Sequence, residues 1–408
     1  MGAPDVRRRR LPSGSSGCPS IRQLRAKKEP LMDFHFTSEE QAFRDEIRTF
    51  LDEHLPESIP EDDSDFIRTW NEKIREKRWV GFNWPPEYGG GGGDVVRQFI
   101  LKEEMSARRA PALGIDFMGL TWVGPAIIAH GSEEQKAEHL ENILDGTSHW
   151  CTGYSEPDVG SDLAALQCRA ELDGDEYVIN GQKIWTTSAQ IASHIFMLVR
   201  TDPDVAKWKG ITCLLLPMDS EGIEIQPIEN LSGKASFCQV FFNDVRTPVT
   251  NRLGAEGEGW RVVMGALANE RSGISESTEM ERHLDQIRDL ARGSKRNGRP
   301  ALEDAGVRRR LSDMEIRIEA MRLTGLRHLT DQLNGRPSGS ETAINKLQRG
   351  ILEFDMSELT LELLGSAAQH QGTLQGETLS WHGTVIGGGS PNIQRNIIGE
   401  RILGLPKD

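Results

Sequence analysis

No two of the five cysteines (Cys18, Cys151, Cys168, Cys213 and Cys238) stand at C-x-x-C spacing in this 408-residue sequence. A disulfide framework and a cysteine-based zinc site are therefore not expected, and a reducing compartment is the simpler setting. Basic charge is also short. The 48 Lys and Arg against 62 Asp and Glu leave a net charge of −14, which argues against a nucleic-acid partner, since that needs a basic face. A few local basic groups can still hold the phosphates of a small ligand. No apolar run approaches the roughly 18 residues of a membrane span. What is present is core material: 37% of the residues are hydrophobic. At this length the expectation is about two or three domains.

The first segment, 1–31, differs from the rest. It holds eight basic residues against two acids, with a Ser/Gly/Pro-rich stretch from Pro12 to Ser20, a composition that favours disorder. Its Arg and Ser content is also that of a mitochondrial transit peptide, but four consecutive arginines, Arg7 to Arg10, spoil the amphipathic spacing. Met32 reads as a natural start and 1–31 as an upstream extension of the frame.

From 32 to 149 the pattern is helical. Thr37 or Ser38, followed by Glu40 and Gln41, resembles a helix N-cap, after which Phe43, Ile47, Phe50 and Leu51 recur at helical spacing. Trp84 to Tyr88 and the glycines 89–93 break the pattern as a loop. Helical spacing resumes over Val95–Met105 and Ser132–Leu144. Between 150 and 250 the period becomes extended, with strands expected at His194–Thr201, Gly210–Pro217, Gly222–Pro227 and Phe237–Asn243. Asn180-Gly181, between Tyr177-Val178-Ile179 and Lys183-Ile184-Trp185, predicts a hairpin turn. From 251 to 408 the spacing is again helical, over Trp260–Leu267, Met280–Ala291, Asp304–Leu333 and Ala343–Leu364.

Two segments of the β region carry a resemblance. Tyr154-Ser155-Glu156-Pro157-Asp158-Val159-Gly160-Ser161-Asp162 and Asn180-Gly181-Gln182-Lys183-Ile184-Trp185-Thr186-Thr187 are similar to the paired flavin-loop signatures of the acyl-CoA dehydrogenase family. Supporting pieces follow in the family order: Pro85 to Gly90, Phe242 to Pro248, Gly257-Glu258-Gly259-Trp260, and Ile393-Gln394-Arg395-Asn396-Ile397-Ile398. The resemblance runs from Met32 to the C-terminus. It implies an α+β multidomain fold, with an N-terminal helical domain, a middle β-barrel or sandwich domain and a C-terminal four-helix bundle.

The resemblance also implies FAD as cofactor, an acyl-CoA substrate, and electron-transfer flavoprotein as electron acceptor. The reaction removes an α-proton while a β-hydride passes to flavin N5, so the protein must supply a base and donors for the thioester oxygen. Trp185 is expected against the flavin ring, with Tyr154, Ser155, Gly160 and Thr187 as further cofactor contacts. Ser161 is expected on the cofactor or on the CoA part of the substrate. Many members place the base shortly before the Ile-Gln pair; here that position is Gly388, whose side chain cannot serve, leaving its backbone N–H for the thioester oxygen. Isovaleryl- and long-chain-type members place the glutamate on the helix after the β domain, and Glu270 falls there. Trp260, Val263, Met264, Leu267 and Ile274 predict one apolar stripe with Glu270 on its margin, where partial desolvation raises a carboxyl pKa. Arg271 is expected to orient the base or the substrate.

Three departures from the family pattern follow. Ser294 and Asn297 stand where many members have the Arg and Phe of Arg-x-x-Phe-Gly, which reaches a neighbouring subunit's FAD. Glu362-Leu363-Leu364-Gly365-Ser366 replaces a Gln-x-x-Gly-Gly segment with the same reach. Gly389-Ser390-Pro391-Asn392 replaces Gly-Thr-Ser, leaving Ser390 and Asn392 as cofactor contacts, Ser390 at the adenine end, while Pro391 removes a backbone donor. The pattern suggests a heteromer with a second homologous subunit; a homo-oligomer is the alternative. A catalytically silent subunit and a flavin monooxygenase or oxidase on the same fold are the rival activities. A bacterial cytoplasmic location is expected, with the mitochondrial matrix as the alternative.

Overall fold

The computed structural model describes residues 36–56, 64–270, 276–335, 339–340, 342–370 and 372–407; for 267–270, 276 and 373 it describes the backbone only. Residues 1–31, Arg271 and Ile274 lie outside these residues. The architecture below belongs to the compact unit Thr37–Asp408.

Helices α1 (Ser38–His54), α2 (Ser64–Glu76), α3 (Val95–Ala107), α4 (Gly124–His130) and α5 (Glu133–Asp145) come first. Their starts are written in the sequence. Thr37 Oγ1 accepts from Glu40 N at 3.2 Å while Glu40 returns a carboxylate to Thr37 N at 2.7 Å, and Ser132 with Gln135 repeats this reciprocal box on α5. Ile47, Phe50 and Leu51 are buried, as their spacing predicts.

A mixed sheet of eight strands follows: β1 (Trp150–Gly153), β2 (Arg169–Asp173), β3 (Glu176–Thr187), β4 (His194–Arg200), β5 (Ile211–Pro217), β6 (Ile223–Ile228), β7 (Phe237–Pro248) and β8 (Arg252–Leu253). The order is β6-β7-β3-β2-β4-β5-β8, with β1 pairing β4 in parallel. One core takes Ile179 from β3, Val240 and Phe242 from β7, Ile195, Met197 and Val199 from β4, and Leu214 and Leu216 from β5. The two ends of the sheet thus close over a shared interior.

The expected turn at Asn180-Gly181 is not one. Strand β3 runs through it without a break, and the hairpin lies earlier, where Asp173 pairs Glu176 across Gly174. Asn180 instead grips a bulge on β7: its Nδ2 donates to Asp244 Oδ1 at 2.9 Å and its Oδ1 accepts from Asp244 N at 3.0 Å. Pairing on both sides of β3 outweighs the local turn preference of the dipeptide. An Asn-Gly pair that does make a hairpin turn is Asn297-Gly298, at φ +51° and +79°, between β9 (Lys295–Arg296) and β10 (Arg299–Pro300).

Helices α6 (Gly259–Glu270), α7 (Glu276–Gly293), α8 (Ala305–Leu333), α9 (Thr342–Leu364), α10 (Thr373–Thr384) and α11 (Pro391–Ile397) complete the chain. Met280, Leu284 and Ile287 of α7, Leu311, Met314 and Ile318 of α8, Leu352 and Met356 of α9 and Trp381 of α10 form one core, a four-helix bundle. No described helix is long and apolar enough to cross a membrane.

Candidate functional site

The alternation of β3 explains what its residues face. Tyr177, Ile179 and Lys183 point inward at odd positions, and Trp185 would follow them in a regular strand. It does not. Lys183 pairs Val240 and Thr186 pairs Cys238, so β3 carries one extra residue there and its parity flips. Trp185 sits in this bulge at φ +60°, in the left-handed region that a bulky residue rarely enters. Its side chain is 57% exposed, with the ring of Phe237 edge-on to it at a centroid distance of 6.1 Å and an angle of 84°. An exposed indole on a strained backbone is the kind of feature that function, not packing, retains. Thr187 is half-buried two residues on.

The second loop lies directly beside the bulge. Ile184 N donates to Ser155 O at 2.9 Å, and Lys183 Nζ donates to Tyr154 O at 3.2 Å. Lys183 is wholly buried and forms an ion pair of 2.8 Å with Glu156, itself 8% exposed. Glu156 also accepts from Gln167 N at 2.7 Å and from Cys168 N at 2.9 Å. One buried carboxylate therefore ties both ends of the loop 156–168 to β3. Arg200 holds the far end, donating to Ala164 O at 2.7 Å and to Leu166 O at 3.1 and 3.2 Å. Between these anchors Gly160 and Ser161 are exposed, and a Cβ placed on Gly160 would meet nothing within 4 Å. Lys207 bridges to Asp162, next to Ser161, at 2.8 Å.

Sequence reasoning missed Glu156, Lys183 and Arg200 as the residues that hold this site. The signal was there for Lys183. A lysine in phase with Tyr177 and Ile179 faces the interior and requires a buried partner. Ser155 lies beside the bulge that carries Trp185, with Thr187 two residues on, whereas the Tyr154 ring packs against buried Phe196 at a centroid distance of 6.0 Å.

Helix α6 leaves the β domain at Gly257-Glu258-Gly259-Trp260. Gly257 N donates to Thr212 Oγ1 at 3.0 Å, and a Cβ on Gly259 would lie 2.5 Å from the Thr212 carbonyl carbon. Only glycine lets the helix start on the β5 backbone. The buried line of α6 is Gly259, Val262, Val263 and Ala266, whereas Trp260 and Met264 are half-buried. This corrects the expected stripe through Trp260 and Met264 by a small rotation, because α6 packs on β5 as well as on α4. Position 270 is the last of the helix, described by its backbone alone.

Gly388 lies between α10 and α11 at φ +66°, and Gly389 follows at +102°. Ser390 caps α11, its Oγ accepting from Ile393 N at 3.4 Å, and Pro391 takes the first helical position. There a missing N–H costs the helix nothing, so the proline also serves as a helix starter. Asn392 is exposed and accepts from Arg395 at 3.3 Å.

The chemistry available is acid–base and binding chemistry. Burial pushes the Cys168 thiol up to about 11 and the Cys151 and Cys213 thiols higher still, so these cysteines remain protonated and are not nucleophiles. Among the described residues no group of three His, Cys, Asp or Glu side chains could hold a metal ion.

Sequence models of the acyl-CoA dehydrogenase N-terminal, middle and C-terminal domains match residues 37–147, 151–245 and 257–403. The chain belongs to the acyl-CoA dehydrogenase family. Acyl-CoA dehydrogenase IpdE1 of Mycobacterium tuberculosis is 35% identical over 350 residues, spanning 84% of this chain and 88% of that protein. A chain of the ChsE4–ChsE5 complex from Mycobacterium tuberculosis superposes with a TM-score of 0.76 at 30% identity, covering 92% of this chain and all (100%) of that one. A chain of the Tcur3481–Tcur3483 steroid acyl-CoA dehydrogenase gives 0.77 at 30% identity, covering 92% and 100%. The chain is thus an oxidoreductase of the acyl-CoA dehydrogenase class.

The β9–β10 hairpin, which follows Ser294 and carries Asn297, and Glu362 of α9 are brought together. Glu362 on α9 accepts from Arg296 of the β9–β10 hairpin and from Arg310 of α8, the latter at 2.6 Å. Ser294 turns back on its own helix, donating to Leu290 O at 2.7 Å.

Proposed function

We propose that this acyl-CoA dehydrogenase desaturates the α,β carbon–carbon bond of a bulky acyl-CoA thioester of the steroid-side-chain class, using FAD bound along the β3 surface. The observation that carries the reading is the exposed Trp185 in its left-handed bulge. An isoalloxazine ring needs aromatic or apolar contact on its face and hydrogen-bond partners at its polar edge. Trp185 supplies the face, and Tyr154, Ser155 and Thr187 supply the edge. The open space over Gly160 and the exposed Ser161 suit the approach of a phosphate-bearing chain. Ser390 and Asn392 are the contacts left for the far end of the cofactor.

FAD, when bound, supplies the two-electron acceptor. Glu270 takes the α-proton, and Arg271 orients it or the substrate. The Gly388 N–H donates to the thioester oxygen, where negative charge develops. Steroid-side-chain substrates follow the steroid acyl-CoA dehydrogenase among the structural relatives, and glycines at 387–389 leave volume for a ring system. Electron-transfer flavoprotein is the proposed acceptor, and the mycobacterial relatives favour a bacterial cytoplasmic location over a mitochondrial matrix.

A heteromeric assembly accompanies this reading. The two elements that would reach a neighbour's cofactor are joined to each other through Arg296, Glu362 and Arg310. A second homologous subunit then completes the cofactor site. The reading is tested by adding steroid-side-chain and straight-chain acyl-CoAs anaerobically to the purified protein, alone and with a candidate partner subunit. Bleaching of bound flavin in wild type and not in Glu270→Gln is expected. Equal bleaching in both moves the base elsewhere; no bleaching in any combination makes the chain a silent subunit. A clear preference for short straight chains removes the steroid assignment, and rapid oxygen-driven turnover makes it an oxidase.

A further inference from the structure

Gln394, of the Ile393-Gln394 pair on α11, has no role in the reaction described above, yet it is only 6% exposed. Its Nε2 donates to Gly388 O at 3.2 Å and to Gly389 O at 3.3 Å. Two carbonyls can only accept, so the amide end of the side chain is assigned by its partners. A side-chain NH2 has two hydrogens, and here each finds one carbonyl of two consecutive residues.

The loop is gripped at its other end as well. Lys346 Nζ donates to Thr384 O at 2.6 Å, and the buried Glu353, paired with Arg349 at 2.9 Å, accepts from Thr384 Oγ1. Between the two grips the backbone turns through two successive left-handed residues, Gly388 and Gly389. A Cβ on Gly389 would stand 2.6 Å from Gln394 Nε2, so glycine is required there for the clamp to close. With trans peptides throughout, the clamped Gly388 and Gly389 carbonyls fix the planes that carry the Gly389 and Ser390 N–H groups, and the Gly388 N–H, on the peptide just before them, is restrained through Gly388 itself. Among the described residues no group accepts from the amides of Gly388 or Gly389.

We propose that Gln394 is a positioning residue: it locks the Gly388–Gly389 backbone so that the Gly388 amide is held, unpartnered, for the thioester oxygen. The inference rests on the role assigned above to Gly388. A donor held in place before the reaction stabilises developing charge without reorganising at the moment of transfer. A loop of three glycines would otherwise sample many conformations, and the clamp removes that freedom.

The test uses Gln394→Met, which keeps length and apolar bulk and removes both donors, in the protein with whatever partner it needs to hold flavin. The probe is a 3-oxoacyl-CoA, whose enolate carries the same oxyanion and is read by its absorbance without turnover. Wild type should ionise the bound probe at lower pH than the probe in water. In Gln394→Met the ionisation should move up by about one pH unit, with kcat down about tenfold, KM within about threefold and flavin content unchanged. Gly389→Ala, whose methyl displaces the clamp, should reproduce this if Gln394→Met folds poorly. Lowered kcat with an unshifted probe ionisation would make Gln394 a structural residue and overturn the proposal. A wild-type protein that does not shift the probe at all would overturn the role of Gly388 itself, and the inference with it.

Discussion

Lys183 and Glu156 form an ion pair of 2.8 Å in which the lysine is completely buried and the glutamate nearly so. The pair joins the middle of β3 to the loop that carries Ser155 and Ser161. Breaking one partner of a buried pair leaves the other charge uncompensated, at about 3–5 kcal/mol. Lys183→Met should therefore lower the unfolding free energy by that order and release flavin. Glu156→Gln combined with Lys183→Met should cost less than the sum of the two single changes. Denaturant unfolding of the four proteins checks this, and additive losses would mean that the pair is not coupled.

Trp185 should behave in the opposite way. Its side chain is exposed and its backbone strained, so Trp185→Gly should leave the melting temperature unchanged or slightly raised, the relieved strain being about 1 kcal/mol. Flavin affinity should fall about three- to tenfold, the scale of one lost aromatic contact. Trp185→Phe should recover part of it. A large loss of stability with full flavin retention would show that the indole is a packing residue.

Glu270→Gln should keep the fold and the bound flavin and slow the reductive half-reaction at least about a hundredfold. Rapid mixing with acyl-CoA under anaerobic conditions measures it.

The Arg296–Glu362 contact is partly exposed, so Glu362→Gln should change stability by less than about 1 kcal/mol. If the crosslink belongs to a heteromer, the change should alter the association with the partner subunit far more than the melting temperature. Sedimentation of the mixed subunits reads the difference.

Burial lowers the His283 pKa to about 3, where the ring accepts from Arg282 at 2.8 Å beside Trp381. Between about 6.5 and that value the unfolded chain binds a proton that the folded chain does not. Stability should therefore fall as the pH is lowered below about 6.5, by up to about 1.4 kcal/mol per unit from this group. His283→Gln should flatten that part of the profile. Urea unfolding at pH 7 and pH 5 compares the slopes.

Much of this was legible in the chain because the signals are local. Thr37 with Glu40 and Ser132 with Gln135 announce helix starts through contacts three residues apart. The continuous apolar runs of β4 and β5 and the order of the flavin-loop segments require no knowledge of distant partners. Asn180-Gly181 misled for the same reason. Its local preference is for a turn, but β2 and β7 pair with β3 across it, and those partners are remote in sequence.

The sequence by itself determined the helix–sheet–helix order, the family and the residue types that could meet a flavin and a thioester. Only the tertiary structure decided which way they face. Trp185 shares the parity of buried Lys183, and its outward position exists because β3 holds one residue more than β7 opposite it. That excess is a property of the pairing between strands some fifty residues apart, and neither strand records it alone.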